Sequence, residues 1–587
     1  MSKFILIDQS LRSVGGHPCD YALHVLRAVE QQGDTPVLVT HQDFRRQDCV
    51  PRHWAVLPCF RHSSYSRYAL CSSGSGLPPV GLEASEEYGK SAASAAKRSI
   101  WNASYHWHRW RRQTQLRRFG LACEQVFAQH PLEQGDQVFF ATASEFDFLA
   151  LSKFLQRYPA ASNARWHLQF HFGIYEGRPS EYEQQQTRAD WVRSYFQAAL
   201  ENAAGIDLRF YNTSTELAQQ YNKLGLVEFK ELPYPINPAM QPSENRRDEI
   251  ASAPLRVTCG GGFRAEKGQQ SLAQALSEVW ESCFASGRMQ LQIQAKRSKW
   301  RKLRFPHPAG EQSSADPTEN PAVKLIPHPL GMEDYVQLIR ESDIGLLMYD
   351  SRRYYARRAG VLCEFLCAGV PVIVPAGCWL SEQIAEAGFE HLDQLVSSAA
   401  TATEQLHASR FTTAADKPGV VTTTLAVPQD AGDAILSFHG GQALGSFLRI
   451  ELEQFDAAEQ SLSTFCQVVG QRAAEKSPRA MWRIDSRATS VRLTLRDAFA
   501  EATPASDVQL DWLPRGLDRP LSSVGLIAAD EQHFGRLLRE IGDHYAHYRR
   551  SALQFSQAWR RAHDPRLTVA HLTGHTDESA ERGVRAA

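Results

Sequence analysis

The chain opens on a run of consecutive apolar residues, Phe4-Ile5-Leu6-Ile7, followed by the loop QSLRSVGGHPCD, a helical pattern from Tyr21 to Gln32 closed by Gly33, and a second strand, TPVLVTH. Further apolar runs lie at Gln137 to Ala141, Trp166 to Phe172 and Asp207 to Tyr211, each followed by a stretch of helical period. Strand, turn, helix and strand make the unit of a parallel α/β sheet, and continuously apolar strands are those covered by helices on both faces. Residues 1–235 are therefore expected to form one doubly wound, Rossmann-like domain.

Residues 236–254 are rich in Pro, Ser and charge and read as a hinge linker. The α/β alternation restarts with LRVTC at Leu255. It continues through a helix from Gln269 to Phe284, strands at Gln290–Gln294 and Val323–Ile326, a helix from Met332 to Ser342, a strand at Ile344–Tyr349, a helix at Leu362–Ala368 and a strand at Val370–Pro375. A second doubly wound domain is expected over residues 255–399. From about residue 400 short alternating runs take over (VVTTTLAV, AILSF, FLRIELEQF, TFCQVV, MWRID, VRLTL, VQLDWL), separated by turn residues, which predicts an antiparallel β-sandwich over 400–515. Val524-Gly525-Leu526-Ile527 and the helical stretches after it return to α/β character. The sandwich is thus expected to be inserted into the second domain, whose end and closing helices occupy 516–572. Residues 573–587 are polar and read as a disordered tail.

A chain of 587 residues exceeds what one core can organise, in keeping with about three or four domains. Lys+Arg of 64 against Asp+Glu of 65 leaves a net charge of -1, so no global field recruits nucleic acid, and anion binding must be local. Eleven scattered cysteines at no zinc spacing read as reduced thiols. With no basic leader and no run of about 20 apolar residues, a cytoplasmic location is expected, at most peripheral at the inner membrane surface. The absence of GxxxxGK, HExxH and GxSxG disfavours familiar ATPases, zinc proteases and serine hydrolases.

Two constellations carry candidate chemistry. Cys259-Gly260-Gly261-Gly262-Phe263-Arg264-Ala265-Glu266-Lys267-Gly268 follows a strand and is expected to open a helix. Glycines there let the backbone approach a ligand, helix-start N–H groups face an anion, and Arg264 and Lys267 add positive charge. A plain glycine turn with two solvated cations fits the same residues. So does a dinucleotide fingerprint, Gly260-x-Gly262-x-x-Ala265, although the following strand ends in Ala295-Lys296-Arg297 where that fingerprint wants an acid. Farther on, Tyr354-Tyr355-Ala356-Arg357-Arg358-Ala359-Gly360-Val361-Leu362-Cys363-Glu364 is a basic loop feeding a short helix with one carboxylate, expected on its first turn. A helix start suits a diphosphate, and a fixed carboxylate suits two ribose hydroxyls; alternatively Glu364 only complements the helix dipole at an exposed end.

Arg264-Ala265-Glu266-Lys267-Gly268 together with Glu364-Phe365-Leu366-Cys367-Ala368-Gly369-Val370-Pro371-Val372-Ile373 resembles the donor half of family 4 glycosyltransferases, which have the GT-B fold. Gly15-Gly16-His17 matches that family's glycine loop more weakly. The resemblance implies two Rossmann-like domains facing a cleft and a retaining transfer from an NDP-sugar to a glycan, lipid-linked or small-molecule acceptor. It implies no metal and no cofactor beyond the sugar nucleotide. Arg264 and Lys267 would neutralise the diphosphate, Gly262, Gly15 and Gly16 would approach the donor, the backbone of Gly360, Val361 and Leu362 would bind its β-phosphate, and Glu364 would hold the ribose. Ala356 stands where the family pattern has a second Glu, eight residues before the first, which keeps a catalytically silent sugar-nucleotide or glycan binder in view. An NDP-sugar epimerase on the same scaffold is a third reading.

In the first domain, His171, at the end of its strand, is a candidate catalytic and acceptor-side group, with a hydrogen-bonded core histidine as the alternative. His17 has the same standing. Residues 97–119 hold many arginines and several Trp or Tyr rings but no acid, which suits an anionic membrane surface, or else a packed helix with a solvated basic face. Trp482 and Trp512 fit core packing better than carbohydrate binding.

Overall fold

The computed structural model describes residues 2–13, 17–46, 48–66, 68–73, 95–177, 181–243, 254–306, 320–386, 396–413, 419–439, 447–470, 479–497, 507–515, 524–528 and 530–574. Strands β1 (Lys3–Asp8), β2 (Thr35–His41), β3 (Ala55–Phe60), β4 (Gln137–Ala143), β5 (Arg165–Phe170), β6 (Leu208–Asn212) and β7 (Phe229–Glu231) form a seven-stranded sheet in the order β3-β2-β1-β4-β5-β6-β7. All its pairings are parallel. The apolar runs of β1, β2, β4 and β5 are buried on both faces, as a helix-covered sheet requires.

Strands β8 (Leu255–Cys259), β9 (Met289–Ala295), β10 (Val323–Pro327), β11 (Ile344–Leu346), β12 (Val372–Pro375) and β13 (Gly525–Ala528) form a second parallel sheet, in the order β10-β9-β8-β11-β12-β13. The stretch between β12 and β13 contributes a four-stranded and a five-stranded antiparallel sheet, built from strands lying between Ala402 and Pro514. Trp482 and Trp512 are buried among them. From this unit Ile435, Met481 and Leu513 join the core that holds Leu537, Leu538 and Tyr548 of the closing helices. The architecture is α/β of the GT-B kind: two doubly wound sheets, with antiparallel sheets set into the second.

Four helices matter below: α1 (His17–Gln31), α2 (Ala95–Gln129), α3 (Met332–Arg340) and α4 (Gly360–Cys367). The last helix, α5 (Pro565–Thr573), crosses back to the first domain and packs on α1. There Thr568 Oγ1 donates to the Pro233 carbonyl at 2.7 Å, and the Ile236 N–H donates to His563 O at 3.0 Å. Both sheets reverse their strand order beside their first strand, between β1 and β4 and between β8 and β11. At such a point the loops leaving the strand ends part and form a crevice.

Two expectations about elements change. The helix foreseen over Gln269–Phe284 is broken into a short helix at Leu272–Leu276, a 3₁₀ turn at Ser277–Val279 and a π turn at Trp280–Ala285. Gly535 of the helix His533–Asp543 lies so near this segment that a Cβ would come within 2.6 Å of the Ala275 carbonyl. Strands β3 and β7 go unread in the sequence: β3 is apolar but interrupted by Pro58, which argues against an interior strand, and β7 is three residues long.

One buried acid of the first domain gives a testable pH effect. Glu145 is fully buried, and its Oε1 accepts the N–H groups of Leu70 and Cys71. Burial pushes its pKa up from 4.5 to about 7. A carboxyl raised on folding favours the protonated folded form, so its contribution to stability is present below about 4.5 and is lost as pH rises through about 7. Thermal melts of Glu145→Gln should therefore show a smaller loss of stability across that window than wild type; identical curves would refute the assignment.

Candidate functional site

The loop leaving β8 crosses the point where the second sheet reverses its order. Gly261 and Gly262 adopt positive φ, +74° and +72°, a region that disfavours residues with a Cβ. Space is short as well. A Cβ on Gly261 would lie 2.4 Å from Val361 Cγ2 and 2.9 Å from Lys267 Nζ, and one on Gly262 would lie 2.9 Å from His328 Nε2. The glycines thus bring the loop against the start of α4 and against Lys267. Gly261→Ala is expected to destabilise the fold by about 1–3 kcal/mol, from positive φ and overpacking together, and to weaken nucleotide binding. Chemical denaturation with a parallel titration checks both.

The expected helix start directly after these glycines is corrected. Ala265–Lys267 forms a single 3₁₀ turn, ended by Gly268 at φ +86°, and regular helix begins only at Leu272. Gly268 packs so closely on Met348 that a Cβ there would lie 2.4 Å from the Met348 Cβ, which turns the chain aside. Positive charge at this point comes from side chains rather than from a helix end.

Lys267 is 6% exposed. Its Nζ donates to the Gly261 carbonyl at 2.7 Å and lies 4.8 Å from the centre of the Tyr349 ring. Burial holds its pKa down to about 7; Arg264 and Arg357 act in the same direction, while Glu364 and Glu266 oppose them. The ammonium is therefore within electrostatic reach of both candidate motifs, which the fold brings together. Arg264 is half-exposed and ion-paired to Glu266, and it also interacts with Tyr354.

Glu364 is the fifth residue of α4, not part of its first turn, because the helix begins at Gly360. It is 3% exposed, and it accepts a hydrogen bond from the Tyr335 hydroxyl of α3 at 2.5 Å. An exposed dipole-complementing role is thereby corrected: the carboxylate is inside. Gly360, Val361 and Leu362 are the first three residues of α4, preceded by Ala359 with no side-chain cap. The N–H groups of Gly360 and Val361 have no acceptor four residues back in the helix and remain available to an anion, whereas that of Leu362, expected to join them, donates to the Ala359 carbonyl at 3.0 Å.

Sequence reasoning passed over Arg357. Its guanidinium lies 5.4 Å from the centre of the Tyr354 ring and 5.7 Å from that of Phe172, which follows β5 in the first domain. Tyr65, 61% exposed and also from the first domain, stacks edge-on to Phe172 at 5.1 Å. Burial lowers the Arg357 pKa, and among the described residues no carboxylate is within ion-pair distance of it. Arg357 therefore reaches from the second domain onto an aromatic platform of the first. Its neighbour Arg358 instead pairs with Glu231 at 2.6 Å. The basic loop was visible in the sequence, but which arginine faces the cleft depends on how the loop docks.

That docking also explains Ala356. Its side chain joins the apolar cluster of the first domain, and its carbonyl accepts the Ser214 hydroxyl at 2.5 Å, while the Gly177 N–H donates to Arg352 O at 2.9 Å. The position where the family pattern carries a second Glu is here a buried domain junction.

His171 lies one residue beyond β5 rather than at its end, because pairing with β6 stops at Phe170. It is half-buried, with Nε2 2.7 Å from the Ala141 carbonyl and 3.2 Å from Gln169 Oε1. One ring nitrogen is thus tied to the sheet. Gly15 and Gly16 lie outside the described residues, and His17 is described only as the first residue of α1. Between α1 and α3 the domains leave a hollow of about 670 Å³, lined by His24, Arg27, Val336 and Arg340 among others. Among the described residues no group of three His, Cys, Asp or Glu side chains could hold a metal ion.

No family model matches this chain, and no curated protein does. Similar solved structures include the trehalose-6-phosphate synthase OtsA, 11% identical with a TM-score of 0.40 over 66% of this chain and 87% of that one. A glycosyltransferase from Rickettsia africae ESF-5 is 11% identical, with a TM-score of 0.38 over 68% of this chain and 88% of that chain. An alpha,alpha-trehalose 6-phosphate synthase from Burkholderia multivorans is 13% identical, with a TM-score of 0.38 over 66% and 86%. Likenesses of this strength decide nothing about substrate.

Proposed function

We propose that the protein is a glycosyltransferase of the family 4 kind, which holds an NDP-sugar in its second domain and passes the sugar, with retention, to an acceptor held by the first. One observation carries this reading: Arg264, Lys267, Arg357 and Glu364 converge where the second sheet reverses its order, opposite Tyr65 and Phe172. When the bond between the anomeric carbon and the diphosphate oxygen breaks, negative charge grows on the departing NDP. Fixed cations in a site that admits little water stabilise that charge more than the ground state and supply the main catalytic effect. In this reading Lys267, Arg264 and Arg357 fill the place that a divalent cation takes in other enzymes. The carboxylate of Glu364 accepts the ribose hydroxyls, oriented for it by Tyr335.

The test is NDP release from a panel of sugar nucleotides, with and without acceptor extract. Acceptor-dependent release supports transfer. Conversion of one sugar nucleotide into another without acceptor would instead identify an epimerase. A second reading, a silent binder, draws on the burial of Ala356 at the domain junction and predicts tight donor binding without release. Chelation should leave turnover unchanged within error; a strict requirement for Mg²⁺ or Mn²⁺ would contradict the metal-free mechanism.

A further inference from the structure

Helix α2 is far longer than the sheet it covers. Its 35 residues span about 52 Å at 1.5 Å per residue. The seven residues of β4 span about 23 Å. The helix ends at Gln129, shortly before β4 begins at Gln137, so it runs down the sheet against the strand direction. Its second half is anchored in the core by Leu116, Phe119, Cys123, Val126 and Phe127. Gln115 and Arg118 stand beside Phe60, at the C-terminal end of β3. The first half of the helix therefore extends past the strand ends, on the edge where the first domain faces the cleft.

Trp107 and Trp110 stand on this overhang, 47% and 64% exposed. At 100° per residue, Trp107, Trp110, Arg111, Arg117, Arg118 and Leu121 fall within an arc of about 120°, opposite the buried face. All six are exposed. The Arg111 guanidinium lies 4.6 Å from the centre of the Trp107 ring. No acidic residue occurs between Lys97 and Phe119, although the whole chain has a net charge of -1. Indole rings with an apolar body and one N–H favour the headgroup layer of a bilayer, and arginines beside them attract anionic lipid. Among the described residues no helix is long and apolar enough to cross a membrane, so contact through this helix would be with the surface.

We infer that the exposed face of α2 docks on an anionic bilayer surface and turns the strand-end edge of the first domain toward the lipid headgroups. The docking stands on the geometry and charge of α2 alone. Its corollary, that the acceptor is carried on a lipid, rests on the transferase reading.

The experiment is co-sedimentation of the full chain with vesicles of phosphatidylcholine mixed with phosphatidylglycerol, and with vesicles of phosphatidylcholine alone. Binding is expected to the mixed vesicles, to fall with rising salt, and to drop about tenfold or more in Arg111→Glu/Arg117→Glu and in Trp107→Ala/Trp110→Ala. Both variants should keep the wild-type melting midpoint and nucleotide affinity. Failure to bind the mixed vesicles, or equal binding by wild type and variants, would overturn the inference. So would a light-scattering mass of two chains that the same substitutions reduce to one, since the face would then join two copies. Vesicle binding by a protein that never releases NDP would leave the docking intact and refute the transferase reading.

Discussion

Lys267→Met should raise the melting midpoint of the ligand-free protein while removing most of its affinity for a nucleoside diphosphate. The folded pKa of this lysine, about 7, lies below its ordinary 10.5, so folding disfavours the charged form. The penalty is absent above about 10.5, grows as pH falls toward 7, and is constant below that, where the ammonium is charged in both states. Methionine fills similar space without the charge, and replacing a poorly compensated buried ion by an apolar group commonly stabilises by about 1–4 kcal/mol. For domains of this size each kcal/mol moves the midpoint by about 2–4 °C. The same substitution removes a cation from the diphosphate site, a loss of about 1.5–3 kcal/mol, or about ten- to hundredfold in affinity. An arriving diphosphate should raise the Lys267 pKa, so wild-type binding takes up a proton and weakens as pH rises above about 7. Titrations across that range should show the slope in wild type and its loss in Lys267→Met. A destabilised variant with an unchanged pH profile would make Lys267 merely structural.

The second large effect concerns Glu364. Glu364→Ala is expected to weaken nucleotide binding by about 1.5–3 kcal/mol and to abolish the preference for a ribonucleotide over its 2′-deoxy analogue. A carboxylate buried beneath Tyr335 that served only packing would lower stability without changing that ratio. Tyr335→Phe leaves the carboxylate in place but removes the donor that orients it, so a smaller loss in the same direction is expected. Calorimetry with the two nucleotides separates these outcomes.

The architecture was legible because strands such as those carrying FILI and VPVIVP are continuous apolar runs that only a covered sheet can use, and because strand and helix patterns alternate through both domains. The site was legible only in part. Local sequence placed Lys267 after a glycine turn and Glu364 after a basic loop, yet the 3₁₀ turn at Lys267 follows from the contact between Gly268 and Met348, some eighty residues away. The depth of Glu364 likewise follows from Tyr335 on another helix. Arg357 and Ala356 took their roles from docking onto the first domain, where Ser214 and Phe172 receive that loop. His171 stands beside a strand end, a position from which the ring can turn either to the cleft or to the sheet. The bond from Nε2 to the Ala141 carbonyl shows the second.

The central claim is that Arg264, Lys267, Arg357 and Glu364 grip one sugar nucleotide between the two domains. A crystal structure of the protein soaked with UDP, and with other nucleoside diphosphates if that one fails to bind, tests it most directly. The account predicts phosphate density within hydrogen-bonding distance of Lys267 Nζ and the start of α4, with the ribose hydroxyls on Glu364. A nucleotide bound elsewhere, with these four side chains left untouched, would contradict it.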